Sequence, residues 1–476
     1  MQKAALAKTN GSLNGHTVLP PETTARYDDV ATAECFLEFA GDDLWYLSEA
    51  GKWLIWDKTH WKTDTSDFVF ELAIDFAKTL YSRDYATSRE RVAHAQRSNS
   101  RTGLNAFLDI ASRKKKIELK QFDDFPYLLN CRNGILDLRT GELKPHDRAY
   151  LLTKIVDTDY DPDAKREFFN QFLETIQPDP SIRAFLQRSI GYSLLGTVRE
   201  RSFWILHGTG NNGKSIFVNL FNNLLGDYAS GTTTSSIMQR GGSGGSVPND
   251  IARLRGKRFI IVPETEENER LNSSVVKALS AGDQMTARFL FGEFFDFYFT
   301  GKLWIATNHK PTVTDHSKGF WERLKLIPFS QDIPPDRVIK SDDLMARLME
   351  EAPAILAWAV QGCRDYLDLN SLDVPEVIQN EIDAYRREQD SIGQFLEERC
   401  ETLVEAKARS PDEYVNPNHF RVNNAELYRA YKKFCDENGE YLRSQRKLSQ
   451  SLKDRAFQQH NSGGRYWEGL RLLGDG

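Results

Sequence analysis

The eight residues Gly-Thr-Gly-Asn-Asn-Gly-Lys-Ser at 208–215 fit the pattern GxxxxGK[ST] of a phosphate-binding loop. Glycines let a backbone curl until several N–H groups point at one phosphate, and a helix that starts there adds the positive end of its dipole. An apolar strand at 203–207 directly precedes the loop, and an apolar helix face from Ile216 to Leu224 directly follows it. This order predicts an α/β core with a mainly parallel sheet that binds a nucleotide.

Each residue of this loop has an expected role, with ATP and Mg²⁺ as the cofactors. Lys214 reaches the β- and γ-phosphates, and the hydroxyl group of Ser215 ligates Mg²⁺. The remaining loop residues surround the phosphates with their backbone: Gly208, Thr209, Gly210, Asn211, Asn212 and Gly213. A glycine-rich structural turn is the alternative interpretation.

A phosphate-binding loop needs an acidic partner on a neighbouring strand to position Mg²⁺ and polarise water. The apolar strand predicted at 258–262 ends in Glu264, with Glu266 close behind, and it is the next good strand after the loop. We therefore expect Glu264 first, and Glu266 second, to be the acid, with Glu264 also a metal ligand. A strand that ends in acids by accident is the alternative.

Two further polar residues follow or precede predicted strands at 302–307 and 324–328. Asn308 is placed to orient the attacking water beside the γ-phosphate, or it opens the turn at Pro311. Arg323 is placed to reach a γ-phosphate bound on a neighbouring subunit, or it is a surface arginine.

Composition limits the class of protein. The chain has 476 residues, of which 40% are hydrophobic and 27% charged, which predicts a soluble protein of two to four domains. No apolar run is long enough to cross a membrane, and five scattered cysteines predict a reducing, cytoplasmic compartment without disulfides or a zinc site. The net charge of −6 means that any binding to DNA must come from local basic patches.

Five segments occur in the order GTGNNGKS, VPETEE, KALSAGDQMTAR, KLWIATNHKP and GFWERLKLIPF, over residues 208–329. Together they resemble the superfamily 3 helicases, and more narrowly the helicase half of the phage and plasmid primase-helicases, relatives of the poxvirus primase-helicase. Weaker similarity extends the resemblance over roughly 35–476. It implies Lys214 and Ser215 as the Walker A pair, Glu264 and Glu266 as the Walker B acids, Asn308 as the sensor and Arg323 as the arginine finger.

The resemblance implies an AAA+-type P-loop NTPase core between an α+β N-terminal domain and a C-terminal winged-helix-like domain. The expected division is a disordered leader at 1–29, the N-terminal domain at 30–164, a helical collar at 165–200, the ATPase core at 201–330, a helical extension at 331–400 and the winged-helix-like domain at 401–476. The tail should form a helix, a second helix capped by Ser444, and a hairpin at Gly463-Gly464.

Contacts with DNA are expected in two places. Lys277 and Arg288 lie where such motors carry basic residues and a DNA-contacting hairpin, placed at 288–298 with its tip at 291–293; core β residues are the alternative. In the tail, the second helix carries Arg446, Lys447 and Lys453 and would face duplex DNA, unless it is a solvated charged face. The basic run 113–116 either grips phosphates or is a solvated helix face.

The functional expectation is an ATP-dependent DNA helicase of a phage, plasmid or related mobile element, acting in the bacterial host cytoplasm as a homohexameric ring. One DNA strand would pass through the channel, with 3′→5′ movement implied by the resemblance. No acidic pair followed by a histidine suggests a primase site, so a separate primase is the expected partner. Two rivals stay open: a P-loop ATPase that initiates replication or moves DNA without separating strands, and a DNA-binding scaffold without turnover.

Overall fold

A computed structural model describes residues 27–82, 86–233, 237–238, 252–264, 269–288, 294–334, 338–410, 414–461 and 464–473. Most of the predicted leader, Glu266 and the predicted hairpin tip at 291–293 lie outside these ranges. In the described part of the chain, no helix is long and apolar enough to cross a membrane. All five cysteines are free and buried.

The N-terminal region combines helices with two small sheets. Its helices are α1 (Asp29–Ala40), α2 (Phe68–Thr79), α3 (Arg89–Ser98) and α4 (Arg101–Lys114). The first sheet has the order β3-β2-β1-β4, formed by β1 (Leu44–Leu47), β2 (Lys52–Trp56), β3 (Trp61–Thr63) and β4 (Lys116–Ile117). The second sheet is antiparallel and contains β5 (Leu128–Cys131), β6 (Gly134–Asp137) and β7 (Leu143–Lys144). The alternation of apolar and polar residues at 44–64 predicts a β-meander, and two short strands around Thr140-Gly141 predict a hairpin at 133–143; both are present.

The core is a five-stranded, fully parallel sheet, which confirms the predicted α/β class. Its strands are β8 (Phe203–His207), β9 (Ala229–Gly231), β10 (Phe259–Val262), β13 (Lys302–Thr307) and β14 (Leu324–Pro328). Three predicted strands have their predicted bounds, β10 begins one residue late, and the edge strand β9 was not predicted. Helices α7 (Lys214–Leu225), α8 (Ser273–Ala281) and the short α9 (Lys318–Trp321) belong to this core, as does the antiparallel hairpin of β11 (Gln284–Arg288) and β12 (Phe294–Tyr298).

The order of the strands is β14-β8-β13-β10-β9. The strand before the phosphate-binding loop, β8, therefore pairs with β13 and β14, and the strand before Glu264, β10, lies one position further away. The expectation that Glu264 follows a strand neighbouring that of the loop is wrong, because β13 is inserted between the two. The carboxyl end of β13, at Asn308, consequently lies between the loop and Glu264.

A pair of helices packs behind the sheet. Helices α5 (Glu167–Ile176) and α6 (Pro180–Ser193) lie in the segment predicted as the collar, and α6 packs closely against a later helix. A Cβ atom at Gly191 would collide with the backbone of Cys363, so the two helices approach at contact distance. Two stacked indoles, from Trp204 on β8 and Trp304 on β13, have ring centroids 4.9 Å apart and planes 6° apart.

Each of these indoles is anchored to α6. The Nε1 atom of Trp204 donates to the hydroxyl of Ser189, and that of Trp304 donates to the hydroxyl of Ser193, both at 3.1 Å. Since both tryptophans are fully buried, these hydrogen bonds satisfy donors that water cannot reach.

In the helical extension, the sequence predicts one long helix at 342–367 and another at 375–399. Each is broken in the structure. The first is divided into α10 (Ser341–Glu350) and α11 (Ala352–Leu369), and the second into α12 (Glu376–Glu388) and α13 (Ser391–Arg399). At the first break, the carboxylate of Glu351 accepts from the N–H groups of Phe168 and Phe169, at 3.0 and 2.8 Å, and so caps α5. At the second break, Asp390 caps α13 through the N–H of Gly393.

The C-terminal region has its own buried core. It contains β15 (Cys400–Thr402), α14 (Leu403–Arg409), β16 (Arg421–Asn423), α15 (Asn424–Asn438), α16 (Gln445–Asp454), β17 (Gln458–His460), β18 (Tyr466–Glu468) and β19 (Leu470–Leu472). The mixed charge of residues 391–417 predicts a linker, and this prediction is wrong for 391–409, which is mostly helical. The predicted order of two helices followed by a hairpin is present, and the hydroxyl of Ser444 caps α16 as expected.

Candidate active site

The loop at 208–215 is curled as the glycines require. Asn211, Gly210 and Gly213 have φ values of 46°, 113° and 80°, which place the last two in a region where glycine is strongly favoured. A Cβ atom at Gly208 would collide with the carbonyl of Phe329 and the side chain of Asn212. Helix α7 begins at Lys214 without a side-chain cap, so its first N–H groups have no side-chain acceptor at the cap position.

The ammonium group of Lys214 lies at the centre of the site and is buried, with 4% of the residue exposed. Its Nζ atom donates to the carbonyl of Gly208 at 2.8 Å, and to the side-chain oxygens of Asn212 and Asn308, both at 2.9 Å. These three acceptors match the three donors of an ammonium group. Burial lowers the pKa of Lys214, and the carboxylate of Glu264 opposes that shift.

Asn308 links the lysine to the acid. Its Oδ1 atom accepts from Lys214, and its Nδ2 atom donates to Oε1 of Glu264. This assignment of the amide oxygen and nitrogen is the one that satisfies both partners. The insertion of β13 between β8 and β10 produces the contact, since the carboxyl ends of parallel strands meet at one edge of the sheet. The structure thus brings three predicted site residues into one hydrogen-bonded row.

Side chains behind the loop also hold it in place. The Nδ2 atom of Asn212 donates to the carbonyl of Phe329 at 2.8 Å, and Nε2 of Gln177 donates to the carbonyl of Pro328 at 2.7 Å. The side chain of Ile176 lies against Gly213. Sequence reasoning included Asn212 only for its backbone and missed Gln177, because no local pattern indicates that the end of α5 meets the residues after β14.

The donors and acceptors present fit a nucleotide with its magnesium ion. The uncapped start of α7 and the open space around Gly210 suit phosphate oxygens. The exposed hydroxyl of Ser215 and the exposed carboxylate of Glu264 offer the oxygen ligands that Mg²⁺ prefers. Among the described residues, no cluster of three histidine, cysteine or acidic side chains forms a metal site of its own.

Arg323 lies at the amino ends of the strands, opposite the phosphate-binding loop. Its carbonyl accepts from the N–H of Phe203, the first residue of β8, at 3.0 Å. The five residues of β8 span about 16 Å, so the guanidinium group cannot reach the loop of its own chain. It donates instead to the carbonyl of Lys277 and to the hydroxyl of Ser280, both at 3.1 Å.

The two residues expected to contact DNA near the core have different surroundings. Lys277 is paired with Asp315 and donates to the hydroxyl of Ser317 at 2.8 Å. Arg288 is exposed on the hairpin, with its guanidinium group 5.2 Å from the ring centroid of Phe294. On the same face, Phe294 and Tyr298 are 63% and 70% exposed, whereas Phe297 faces the core. The alternative of core β residues therefore holds for Phe297 and fails for the outer face.

The remaining basic residues divide between exposed and paired groups. Arg446, Lys447 and Lys453 are exposed on α16, while Leu448 and Leu452 of the same helix are buried. In the run 113–116, by contrast, three cations are paired with carboxylates: Arg113 with Asp109, Lys114 with Glu34 and Lys115 with Asp42. These pairs favour the alternative of a charged helix surface over a phosphate grip for that run.

Comparison with known proteins adds the family. Three family models match successive parts of the chain: "D5 N terminal like" at 33–178, a family of unknown function (DUF5906) at 206–323, and "Poxvirus D5 protein-like" at 387–468. This chain is a relative of the D5-like primase-helicases of superfamily 3. The resemblance drawn from the five segments is thereby confirmed, and the loop with Asn308 and Arg323 lies inside the middle match.

The chain is also similar to curated viral proteins. It is 31% identical over 247 residues to a protein of Acanthamoeba polyphaga mimivirus named "Putative helicase", covering 51% of this chain and 25% of that protein. It is 22% identical over 302 residues to a protein of African swine fever virus named "Putative primase", covering 59% of this chain and 31% of that protein. The matched regions thus span only a quarter to a third of these relatives.

A solved structure resembles the chain over most of its length. The apo structure of the NrS-1 C-terminal region matches with a TM-score of 0.50 and 11% identity, covering 94% of this chain and 100% of that one. At 11% identity, this match shows a similar fold and nothing about function.

Proposed function

We propose that this chain is an ATP-dependent DNA helicase that unwinds duplex DNA during replication of a virus, phage, plasmid or related element. The observation that carries the proposal is the hydrogen-bonded row from Lys214 through Asn308 to Glu264. It joins a cation for the phosphates, an amide that can orient water and a carboxylate for Mg²⁺ at the edge of one sheet. The relatives named as putative helicases support the same function.

Within this mechanism, the ammonium group of Lys214 would exchange some of its three protein oxygen acceptors for oxygens of the β- and γ-phosphates when ATP binds. Mg²⁺, held by Ser215 and Glu264, would neutralise charge that develops on the transferred phosphoryl group. Asn308 would then be free of the lysine and would position the attacking water. Glu266 is proposed as a second acid beside Glu264.

Arg323 is proposed to act on the ATP of a neighbouring subunit. Its position at the amino ends of the strands supports this, because the phosphate-binding loop of the same chain lies about 16 Å away along β8. The proposal requires a ring, which we take to be a homohexamer, with ATP between subunits. A mixture of Lys214→Ala and Arg323→Ala subunits tests it: each variant alone should be inactive, and the mixture should recover part of the turnover. No recovery would count against shared sites.

The DNA would contact two surfaces. A single strand in the channel would stack on Phe294 and Tyr298 beside Arg288, and duplex DNA would lie on Arg446, Lys447 and Lys453. Lys277, held by Asp315, would act on the single strand only if that pair opens. Tyr298→Ala should weaken single-strand binding by about 1–3 kcal/mol per lost stack, while Tyr81→Ala, another exposed tyrosine, should not. Equal affinities for both variants would remove the hairpin from the proposal.

The decisive experiment compares Lys214→Ala with Lys52→Ala, an exposed lysine remote from the loop, in an ATPase assay and a forked-duplex assay with Mg²⁺. Only the first variant should lose turnover and strand displacement. Normal turnover by Lys214→Ala would refute the site. DNA-stimulated turnover by the natural protein without a displaced strand would favour a motor that does not unwind. DNA binding without any turnover would favour a scaffold.

A further inference from the structure

The connection between α15 and α16, residues 439–444, contacts the segment that follows Asn308. We call these residues the tail connection, and residues 309–317 the Asn308 segment. In the tail connection, the guanidinium group of Arg443 donates to the carbonyl of Thr314 at 3.2 Å and to Nε2 of His316. The hydroxyl of Tyr428 donates to the carbonyl of Arg443 at 3.2 Å, which fixes the backbone at this point.

His316 is suited to this contact because its ring is neutral. Burial, and then the charge of Arg443, lower the pKa of His316 to about 4, while Asp390 opposes the shift. A neutral ring has one nitrogen with a free lone pair, and Nε2 is the nitrogen that faces the arginine. At neutral pH the pair is therefore a hydrogen bond between a cation and a neutral acceptor, with no repulsion to overcome.

The same tail connection also touches the segment that follows Glu264. The guanidinium group of Arg270 lies 4.4 Å from the ring centroid of Tyr441. The neighbouring Leu271 donates its N–H to the carbonyl of Thr312 at 3.0 Å, and Thr312 donates to the carbonyl of Glu269 at 2.8 Å. Tyr441 thus contacts the segment that follows Glu264, and Arg443, two residues later, contacts the segment that follows Asn308.

A second path joins the C-terminal region to the Asn308 segment through the break between α12 and α13. Three consecutive residues at this break each contact a different residue elsewhere in the chain. Glu388 is paired with Lys310 at 3.1 Å, the side chain of Gln389 accepts from the N–H of Val313 at 2.8 Å, and Asp390 is paired with Arg455 just after α16.

From the Asn308 segment the contacts continue to Arg323. Asp315 is paired with Lys277, and the carbonyl of Lys277 accepts from Arg323 at 3.1 Å. The Asn308 segment is therefore attached to the sensor, the C-terminal region and the arginine proposed to act in the next subunit. Helix α16 begins at Gln445, two residues after Arg443, so its first exposed cations, Arg446 and Lys447, lie about one helical turn from the contact.

We infer that the tail connection couples the C-terminal region to the ATP site: DNA held on α16 shifts the Asn308 segment through Tyr441 and Arg443 and so changes ATP turnover. The inference rests on the proposed function and adds its regulation. Tyr441 and Arg443 are positioning residues, since neither touches the loop. Coupling of this kind is reciprocal, so bound nucleotide must change the affinity for DNA by the same factor as DNA changes the affinity for nucleotide.

The test is the double variant Tyr441→Ala/Arg443→Ala, with Tyr441→Phe as the control that keeps the ring over Arg270. ATP turnover is measured with and without a forked duplex, and affinity for a fluorescein-labelled duplex with and without a non-hydrolysable ATP analogue. In the double variant, DNA stimulation of turnover should fall by about fivefold or more, the lower end of usual allosteric couplings. Basal turnover and DNA affinity without nucleotide should stay at the natural values, and Tyr441→Phe should match the natural protein.

A second variant, Gln389→Ala, loosens the other path and should reduce the stimulation by a smaller factor. Full stimulation in the double variant, with DNA affinity still responding to the ATP analogue, overturns the inference and leaves the proposed function standing. Turnover that survives Lys214→Ala overturns the proposed function and the inference with it. A natural protein whose turnover does not respond to DNA overturns the inference alone.

Discussion

The N-terminal and C-terminal regions are attached to the same sheet by different kinds of contact. On the N-terminal side, which includes the collar helices, Arg258 and Lys302 are buried at the start of β10 and β13, with 4% and 1% of their surface exposed. Arg258 donates to the carbonyl of Leu128 in the N-terminal region and to that of Leu194 at the end of the collar. Lys302 donates to the carbonyl of Leu195, also at the end of the collar, and to that of Thr300 within the core. On the C-terminal side, Tyr441 is half exposed and Arg443 partly so.

This difference has a physical meaning. A buried side-chain donor that is hydrogen-bonded to backbone carbonyls cannot move without leaving polar groups that water does not reach, so the N-terminal attachment is fixed. A partly exposed arginine can exchange its partner for water at small cost, so the C-terminal attachment can adjust. The fixed contacts lie at the amino ends of the strands, and the adjustable ones follow the carboxyl ends, where the candidate active site lies.

The largest effect is expected for Arg258→Ala. The substitution removes two good charged hydrogen bonds and the contact with the ring of Tyr228, and it leaves buried carbonyls without donors. The free energy of unfolding should fall by about 3 kcal/mol or more. Urea denaturation followed by tryptophan fluorescence measures it. A loss no greater than that of Arg443→Ala would show that the two attachments do not differ in strength.

Gly191→Ala tests the same fixed side through sterics. The added Cβ would collide with the backbone of Cys363, so α6 and α11 must separate, at about 1–3 kcal/mol. Gly319→Ala is the matched control, because nothing lies within 4 Å of the Cβ it adds. Thermal unfolding of both variants should separate them clearly. Equal midpoints would mean that the helix pair has room to adjust.

Lys302→Met tests the fixed side through pH. Burial places the pKa of Lys302 well below its ordinary 10.5 in the folded chain. Between these two pKa values the unfolded chain binds more protons, so the free energy of unfolding rises with pH, by up to about 1.4 kcal/mol per pH unit. Lys302→Met should remove this rise, whereas Lys52→Met should keep it. Urea midpoints at a series of pH values provide the measurement, and parallel curves for both variants would contradict the assignment.

The smallest effect is expected for Arg443→Ala on stability. Its two acceptors can be solvated, so the free energy of unfolding should change by less than about 1 kcal/mol. Differential scanning calorimetry, with Arg258→Ala run alongside, gives the comparison. A larger loss would place the C-terminal attachment among the fixed contacts and weaken the case for its adjustment.

Much of the core could be predicted because its signals are local. The strands at 203–207, 302–307 and 324–328 are apolar runs with clear ends, and the loop at 208–215 needs glycines wherever it occurs. The edge strand β9 was missed because Ala-Ser-Gly has no strand pattern of its own and forms by pairing with β10. The break at Glu351 was missed for a similar reason, since its carboxylate serves a helix 180 residues earlier.

The site itself was predicted as a set of residues and not as an arrangement. Lys214, Glu264 and Asn308 follow from motifs, yet their order in space depends on which strand lies between the other two. That order is set by packing between distant segments, which no spacing along the chain reports. The contacts of Arg443 and Tyr441 were invisible for the same reason, because neither residue belongs to a motif.

The two serines that anchor the stacked tryptophans limit how the protein can move. Ser189 and Ser193 are one helical turn apart, about 6 Å along α6, close to the spacing of about 4.8 Å between neighbouring strands. Helix α6 therefore fixes the positions of β8 and β13 relative to each other. Sliding one strand past the other would break both hydrogen bonds and separate the stacked indoles. Under the proposed function, movement driven by ATP would have to arise in loops beyond the strand ends and between neighbouring copies, because β8 and β13 would move as one rigid unit.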